Sequence, residues 1–425
     1  MKKYLITNIK SIEIIDNRGM PTIRTYVEVN NDFYEHADVE CGSSKGKYEA
    51  KELRDGGRRF FGMGVKKAIN NIHKVIFPKL KGVDVREQRK IDRIMNELDG
   101  TPNKENLGSN AILSISLSAA KAASKSCDLP LYKYLNSNSH ILPISFATMI
   151  NGGLHAGNKL AFQEFCVLPV KAKSFKESIE VLSEINYHLR KILVDEYGNY
   201  AINCGEDGGI AAPLENSFEA MDILIKASRE AGYKDKIAFG LDIASTHFYN
   251  TKNKKYNIEG KENSKKEMIE LLEEMLKNYP SIIALEDPLH EDDFEGFSEF
   301  TKNHAEKIII GDDLFVTNIL RLKKGIKKGA ANAILIKPNM IGTLSETIDT
   351  VKHANRNKYK IVVSERSGKT EDNILSDITV SLDAPIIKTG GLRGSDRGAN
   401  YNRFIEIEEE LGNSAVYAGK ILDEM

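Results

Sequence analysis

Short apolar runs separated by helical sequence dominate the last two thirds of the chain, and six of these runs end in charged residues. The runs are Ile237–Ile243, Ser281–Asp287, Lys307–Asp313, Ala333–Lys337, Lys360–Glu365 and Pro385–Lys388. Parallel strands that are buried on both faces are apolar throughout, so the pattern predicts an α/β fold in which parallel strands alternate with helices.

The charged strand ends recur at a regular interval. Asp242, Glu286, Asp312, Lys337, Glu365 and Lys388 follow one another by 44, 26, 25, 28 and 23 residues. A βα unit of an eight-stranded barrel takes about 30 residues, so four of the five intervals fit one unit each. The longer interval contains the polar insertion Tyr249–Lys265. One charged end is easily explained as a solvated loop start, but six in series favour a shared site at the carboxyl face of a barrel.

The first 135 residues have a different pattern. The β-rich runs Ile12–Ile15 and Thr22–Val29 flank the turn signal Asn17–Pro21, which predicts a hairpin. Helical stretches follow, including the small-residue run Asn110–Ser124. Strands followed by helices indicate a compact α+β domain. We therefore expect a small N-terminal domain at residues 1–135 and a barrel domain at residues 136–425.

One helix start carries its own signal. Ser264 is followed three residues later by Glu267, which is the spacing of a capping box. An apolar stripe at helical spacing follows, at Met268, Leu272 and Met275. The sequence predicts an amphipathic helix that begins after Ser264.

Charge and composition exclude several classes of protein. The 425 residues carry 60 Lys+Arg and 61 Asp+Glu, which disfavours a basic nucleic-acid-binding protein. The chain has no apolar run of about 18–20 residues, and its start has no apolar stretch of signal-peptide length, so we expect no membrane partner. The four scattered cysteines suit a cytoplasmic protein better than a disulfide scaffold.

Three consecutive strand ends offer carboxylates, namely Asp242, Glu286 and Asp312. Carboxylates held together repel one another unless a cation neutralises them. Because the set contains only hard oxygen donors, it favours Mg²⁺ over zinc. The next strand ends in Lys337, which becomes a candidate general base beside a cation on a desolvated face. The alternative for Lys337 is a plain salt bridge to one of these carboxylates.

The remaining strand ends favour an anionic ligand. Arg366 and Ser367 follow one strand, and Lys388 ends the last. A guanidinium, a hydroxyl and an ammonium group around one mouth suit a phosphate or a carboxylate. The glycine-flanked loops Asn151–His155 and Gly205–Gly209 carry titratable groups, but each alone is typical of an ordinary turn. Together, the residues predict a Mg²⁺-dependent enzyme for a small phosphorylated carboxylic acid.

Long segments of the chain resemble the enolase family, in the family's order and nearly from end to end. They include INGGLHAGNKLAFQEF, GEDGGIAAP, LEDPLHEDDFEGF, IGDDLFVTN, AILIKPNMIGTLSET and IKTGG. The resemblance implies an N-terminal α+β domain and a (β/α)8 barrel that begins ββαα. It also implies dehydration of 2-phosphoglycerate to phosphoenolpyruvate, with a lysine base and Mg²⁺ as is established for enolase-superfamily sites, and a homodimer or an assembly of dimers.

The resemblance also implies a role for each site residue. Asp242, Glu286 and Asp312 would hold one Mg²⁺, and Ser44 would help to bind a second, substrate-dependent one when the loop at residues 42–46 closes. Lys337 would be the base at C2, and Asp207, supported by Glu164, would donate a proton to the leaving hydroxyl group. The substrate would be contacted by His155, Gln163, Glu365, Arg366, Ser367 and Lys388.

Several residues depart from the family pattern. Asp207 stands where the family has a glutamate, so its carboxyl group is set back by one methylene. Glu365 stands where the family has a histidine, and this added anion should weaken binding of an anionic substrate unless something compensates. Lys369 replaces an acidic residue, and the loop from Gly391 to Asp396 is rearranged, with its arginine moved by one position to Arg393.

These departures leave three hypotheses open. The first is a phosphopyruvate hydratase with tolerated changes. The second is an enolase-like lyase retuned for another phosphorylated or phosphonylated hydroxy acid. The third is a non-catalytic binding protein. The metal carboxylates and Lys337 are all present, which favours an enzyme.

Overall fold

The computed structural model describes residues 3–43 and 46–419, and it confirms the predicted fold class. The chain begins with a three-stranded antiparallel sheet in the order β1-β2-β3, formed by β1 (Ile6–Ile15), β2 (Pro21–Val29) and β3 (Phe33–Asp38). The hairpin is present, although β1 starts six residues before the predicted run. Five helices follow: α1 (Lys66–Asn71), α2 (Phe77–Leu80), α3 (Gln88–Asp99), α4 (Ser109–Ser126) and α5 (Leu131–Leu135).

Helix α4 lies against β2 and β3 and is buried along most of its length. Its alanine and serine side chains allow this close approach because they are small. The buried hydroxyl groups form a connected set, in which Thr25 Oγ1 lies 2.8 Å from Ser11 Oγ and 2.7 Å from Ser114 Oγ. Ser118 Oγ donates to the Thr25 carbonyl oxygen at 2.7 Å and accepts from the Ala37 amide at 3.1 Å. Each of these buried hydroxyl groups has a hydrogen-bond partner.

The rest of the chain forms a barrel with two small additional sheets. Its strands are β4 (Ile141–Leu142), β5 (Ile144–Ser145), β6 (Ala147–Asn151), β7 (Glu164–Leu168), β8 (Ala238–Asp242), β9 (Tyr249–Asn250), β10 (Lys255–Ile258), β11 (Lys261–Asn263), β12 (Ile282–Glu286), β13 (Ile308–Gly311), β14 (Ala333–Ile336), β15 (Lys360–Ser364), β16 (Ile386–Lys388) and β17 (Val416–Tyr417). Its helices are α6 (Phe175–Tyr197), α7 (Ser217–Glu230), α8 (Lys265–Asn278), α9 (Phe294–Asn303), α10 (Ile319–Lys328), α11 (Pro338–Ile341), α12 (Leu344–Arg356), α13 (Ile374–Ser381) and α14 (Ser395–Leu411).

The main sheet closes on itself. Its order is β5-β16-β15-β14-β13-β12-β8-β7-β6, and only Phe146 separates β5 from β6. The Phe146 amide donates to the Ile387 carbonyl oxygen at 2.7 Å, so β5 and β6 together form one strand of the barrel. This strand pairs with β16 on one side and with β7 on the other. The result is an eight-stranded barrel, with β5 and β6 counted as one strand.

One strand of the barrel is antiparallel to its neighbours. Strand β7 is antiparallel to both β6 and β8, whereas the pairs from β8 round to β16 and on to β5 are parallel. Helices α6 and α7 follow β7, so the barrel begins ββαα as the resemblance implies. The start of β7 therefore lies at the face where the parallel strands end.

Two local predictions are confirmed. Ser264 caps α8 through a complete capping box with Glu267. The six predicted strands are β8 and β12 to β16, and each is one to three residues shorter than its predicted run. The polar insertion Tyr249–Lys265 forms the separate sheet β9–β11 and leaves the barrel uninterrupted. Over residues 3–43 and 46–419, no helix has both the length and the apolar character needed to cross a bilayer.

Candidate active site

The barrel register brings three carboxylates together. Glu164 at the start of β7 pairs with Asp242 at the end of β8, which pairs with Glu286 at the end of β12. Lys388 at the end of β16 reaches all three across the barrel mouth, and its Nζ lies 2.7 Å from Asp242, 2.8 Å from Glu286 and 3.2 Å from Glu164. The predicted convergence of strand ends on one site is therefore present in the structure.

The barrel mouth is short of positive charge. Burial raises the pKa of Glu286 well above its usual value, and the neighbouring Asp242 raises it further while Lys388 opposes the shift. Burial raises the pKa of Glu164 to about 7, against the effect of Lys388. Burial disfavours the Lys388 ammonium, but the surrounding carboxylates outweigh it and raise its pKa. A bound cation would relieve the remaining repulsion.

Lys337 and Asp312 form a close ion pair, with 2.5 Å between Nζ and Oδ2. Burial lowers the pKa of Lys337, but the nearby acids, Asp312 first and then Glu286, together raise it above its usual value. The salt-bridge alternative is thus the arrangement observed in the chain without a bound ion. The other carboxylate oxygen, Asp312 Oδ1, is buried and has no hydrogen-bond partner among the described residues.

The chemistry of the predicted donor set fits a hard cation, but the set is not gathered as one group. Among the described residues, the groups whose ligand atoms all lie within 4.8 Å of one another are His155, Glu164 and Asp207, and Asp287, Asp312 and Asp313. Asp242, Glu286 and Asp312 supply only carboxylate oxygens, and Asp312 Oδ1 is an unpartnered acceptor in the same pocket. Magnesium prefers oxygen ligands of this kind. Ser44, the predicted fourth metal-binding residue, lies outside the described residues.

Two further acids were missed from the sequence. Oxygens of Asp287, Asp312 and Asp313 lie within 4.8 Å of one another, and all three residues are buried. Asp287 accepts hydrogen bonds from the amides of Asp312 at 3.0 Å and Asp313 at 2.8 Å, so it orders the turn after β13. The paired acids Glu286-Asp287 and Asp312-Asp313 were the available sequence signal.

His155 and Asp207 form a hydrogen-bonded pair on the other side of the pocket. His155 Nδ1 bonds Asp207 Oδ2, which also accepts from Asn151 Nδ2 at 3.2 Å. Burial favours the neutral form of Asp207, but His155 and then Arg397 outweigh it and hold its pKa well below the usual range. The pKa of His155 is raised because Asp207 outweighs burial. His155 Nε2 is buried and has no partner among the described residues.

The predicted anion-binding side chains lie in the same pocket. Arg366 is buried and pairs with Glu49 at 2.8 Å, and Ser367 Oγ accepts from the Ser43 amide at 3.0 Å. Gln163 Nε2 donates to Asp242 at 2.9 Å. The lining of the pocket includes His155, Gln163, Glu164, Asp207, Asp242, Asp312, Lys337, Glu365, Arg366, Ser367 and Lys388.

The added anion Glu365 does have a counter-charge. Its carboxylate bonds Arg397 Nη1 and accepts from Asn400 Nδ2 at 3.1 Å. Burial raises the pKa of Glu365, and Arg397 opposes that shift. The condition for weaker substrate binding, an uncompensated anion, is therefore not met. Arg397 was missed from the sequence because it lies 32 residues from Glu365 on α14.

Two other departures point away from the pocket. Arg393 donates to the Ile202 carbonyl oxygen at 2.9 Å near the surface. Glu206, which could in principle replace Asp207 as a proton donor, bonds Ser43 Oγ instead. Asp207 is therefore the acid of this loop that lines the pocket.

Comparisons with known proteins cover nearly the whole chain. Residues 6–135 match the family described as enolase, N-terminal domain, and residues 139–424 match enolase, C-terminal TIM barrel domain. A protein named enolase from Pyrococcus furiosus is 50% identical over 98% of this chain and 97% of its own length. An enolase from Methanocaldococcus jannaschii is 47% identical over 99% of this chain and 98% of its own length.

Proposed function

The chain belongs to the enolase family, and we propose that its barrel mouth catalyses the reaction of that family with Lys337 as the base. The activity is the reversible dehydration of 2-phosphoglycerate to phosphoenolpyruvate. The observation that carries the proposal is the convergence of Lys337, Arg366 and the carboxylates of Asp242 and Asp312 on one pocket.

Asp242, Glu286 and Asp312 would hold one Mg²⁺, and Ser44 would contribute to a second that enters with substrate. Bound Mg²⁺ would supply positive charge where negative charge develops on the substrate carboxylate. Asp312 holds the Lys337 ammonium, and this contact favours the protonated form. Lys337 would act as the base in its neutral amine form, after its ammonium proton has passed to solvent, and it would then accept the proton from C2.

The leaving hydroxyl group is assigned to the opposite wall. Asp207, supported by Glu164, is proposed to deliver the proton that leaves with this oxygen. Asp207 is an anion bonded to His155, so it must first gain the proton that it delivers. The pKa of His155 is raised, and the proton on its Nδ1 would pass to Asp207 and then to the leaving oxygen. Asp207 is one methylene shorter than the usual glutamate.

The substrate's charged ends are assigned to the cationic side chains. Arg366 and Ser367 would bind the phosphate group, and Lys388 would lie against the carboxylate. His155 and Gln163 would complete the contacts, and Glu365 would lie beside them with its carboxylate bonded to Arg397 and Asn400. Buried guanidinium and ammonium groups bind such anions strongly because water competes little there.

Three further proposals concern where the protein acts, how it assembles and how the chain divides into domains. We propose that the chain acts in the cytoplasm as part of glycolysis and assembles as a homodimer or a set of dimers. We also propose that residues 1–135 and 136–425 are its two domains. The first domain would cover the barrel mouth through residues such as Glu49, which pairs with Arg366.

A direct assay tests the function. Purified protein is mixed with Mg²⁺ and 2-phosphoglycerate, and formation of phosphoenolpyruvate is followed by its ultraviolet absorbance. We expect turnover of about 1–10³ s⁻¹, which is the range of ordinary enzymes. Retained binding of phosphoenolpyruvate without turnover would instead support the retuned lyase, and absence of both would support a binding protein.

A further inference from the structure

We propose that Glu365 and Arg397 form a positioning pair that fixes the proposed phosphate-binding residues Arg366 and Ser367 against the loop that carries Asp207. The proposal rests on the proposed function for its substrate. It concerns two residues that the resemblance does not give this role, and one of them, Glu365, departs from the family pattern.

Arg397 joins two loops of the barrel mouth through main-chain bonds. Its Nη1 donates to the Arg366 carbonyl oxygen at 3.0 Å. Its Nη2 donates to the carbonyl oxygens of Ser367 at 2.7 Å and Glu206 at 3.0 Å. The side chain is only 1% exposed, so these bonds are protected from water. A guanidinium group suits this task because its donors have a fixed geometry.

Glu365 sets the direction of that guanidinium. Its Oε1 bonds Arg397 Nη1, and its Oε2 is held by Asn400, whose own Oδ1 is bonded to Ser376 Oγ at 3.1 Å. Two other acids lie near Arg397: Asp396 Oδ2 is 3.3 Å from Nε, and Asp207 Oδ1 is 4.0 Å from Nη2. Glu365 therefore also keeps Arg397 from swinging toward Asp207, which leaves that carboxylate for His155.

The loop that carries Asp207 also packs tightly against a third loop, the one that follows β16. The Gly391 amide donates to the Asp207 carbonyl oxygen at 2.7 Å. A Cβ atom at Gly391 would lie 2.3 Å from the Gly208 carbonyl oxygen, so only glycine fits there. The loop of Asp207 is thus held on one side by Gly391, and it is also linked through Glu206 to Arg397, whose guanidinium group is shared with Arg366 and Ser367.

A second anchor holds the same segment from the N-terminal side. Glu40 Oε2 accepts from the Arg366 amide at 2.8 Å, and Glu40 Oε1 lies 3.5 Å from Lys369 Nζ. Lys369, like Glu365, departs from the family pattern. The two departures thus act on one segment, residues 365–369, from opposite ends, with Arg397 and Glu40 as their partners.

The test is the variant Glu365→Gln, which keeps the shape and removes the charge. We expect the KM for 2-phosphoglycerate and the Kd for inorganic phosphate to rise by about tenfold, as for loss of one charged hydrogen bond, with a smaller fall in kcat. Glu365→Asp keeps the charge and should recover part of the affinity. Glu365→His, which restores the residue usual in the family, should weaken binding, because a histidine cannot neutralise Arg397.

The matched control is Asp377→Asn. Asp377 is a buried acid paired with another arginine of α14, with 2.9 Å to Arg403 Nε, and it lies outside the pocket. Its loss should lower the melting temperature and leave KM and phosphate affinity unchanged. If Glu365 had only a structural role, Glu365→Gln would likewise lower the melting temperature and leave KM and phosphate affinity unchanged.

The outcomes separate this proposal from the proposed function. Unchanged KM and phosphate affinity in folded Glu365→Gln would overturn the positioning role and leave the function standing. A wild-type protein that binds phosphate without dehydrating 2-phosphoglycerate would refute the function, and the phosphate measurement would still decide on the pair. If Glu365→Gln does not fold, Arg397→Lys serves instead, since lysine cannot reach three carbonyl groups, and unchanged phosphate affinity there would equally overturn the pair.

Discussion

The barrel mouth and the interface of α4 with the N-terminal sheet both bury many polar side chains, but they do so in opposite ways. At the α4 interface the groups are neutral hydroxyls such as Thr25 and Ser114, and each has a partner. At the mouth the groups are charged, and His155 Nε2, Gln163 Oε1 and Asp312 Oδ1 have no partner among the described residues.

The difference separates structural polarity from functional polarity. A buried hydroxyl group with a hydrogen-bond partner contributes modestly to stability, and it needs no ligand to complete its hydrogen bonds. Buried charges and unpartnered acceptors are costly to retain unless a ligand completes them. The following four predictions test this contrast, beginning with the largest expected effect.

Lys337→Ala should abolish exchange of the C2 proton of 2-phosphoglycerate with solvent, lowering it by about 10⁴-fold as for loss of a general base. Deuterium incorporation followed by NMR measures this exchange. The control is Lys104→Met, which removes another buried lysine that pairs with Glu346 at 3.0 Å outside the pocket. Exchange that survives in Lys337→Ala would remove Lys337 as the base.

Addition of Mg²⁺ should stabilise the wild-type protein, because the ion binds the folded site. At 100 times its Kd the gain is about 2.7 kcal/mol. Asp312→Asn should lose most of this gain in a thermal melt, whereas Asp377→Asn should keep it. An equal shift in both variants would place the ion elsewhere.

Ser114→Ala should lower stability and leave activity per folded molecule unchanged. It removes the partner of Thr25 Oγ1 at 2.7 Å, at a cost of about 1–2 kcal/mol. Urea unfolding measures the loss, and the dehydration assay supplies the second readout. A change in KM would show that the α4 interface is coupled to the mouth and would weaken the contrast.

Asp84→Asn tests the third setting, a charge near the surface. Arg86 holds the pKa of Asp84 to about 2, against burial and with help from backbone amides. A depressed acid contributes stability above its unfolded pKa near 4 and loses it as pH falls toward 2. Because the pair is solvent-screened, we expect less than about 1 kcal/mol at neutral pH. A larger loss in urea unfolding would contradict the argument.

The sequence predicted most of the fold because two signals in it are local. Apolar runs located β8 and β12 to β16, and the Ser264 capping box located α8. The length of β1 was underestimated because its first residues alternate with polar ones on a half-exposed face. The reversed direction of β7 followed from the resemblance and not from any pattern within β7 itself.

The candidate site was predictable where its residues follow strand ends. Asp242, Glu286, Lys337 and Lys388 were found in this way, and the structure places them around one mouth. Contacts that depend on how distant segments pack had no such signal. The pairing of Glu365 with Arg397 and the pairing of Arg366 with Glu49 across 317 residues are of this kind.

The reversed direction of β7 also changes which segments of the chain supply residues to the pocket. Because β7 enters the barrel at the mouth, Glu164 begins this strand at the pocket, and the segment just before it supplies His155 and Gln163 to the pocket lining. A direct consequence is that an insertion before β7 would lengthen a segment that lines the pocket. An insertion after β7 would lie at the opposite end of the barrel and would leave catalysis unchanged. Variation in substrate size among such barrels should therefore accumulate upstream of this strand.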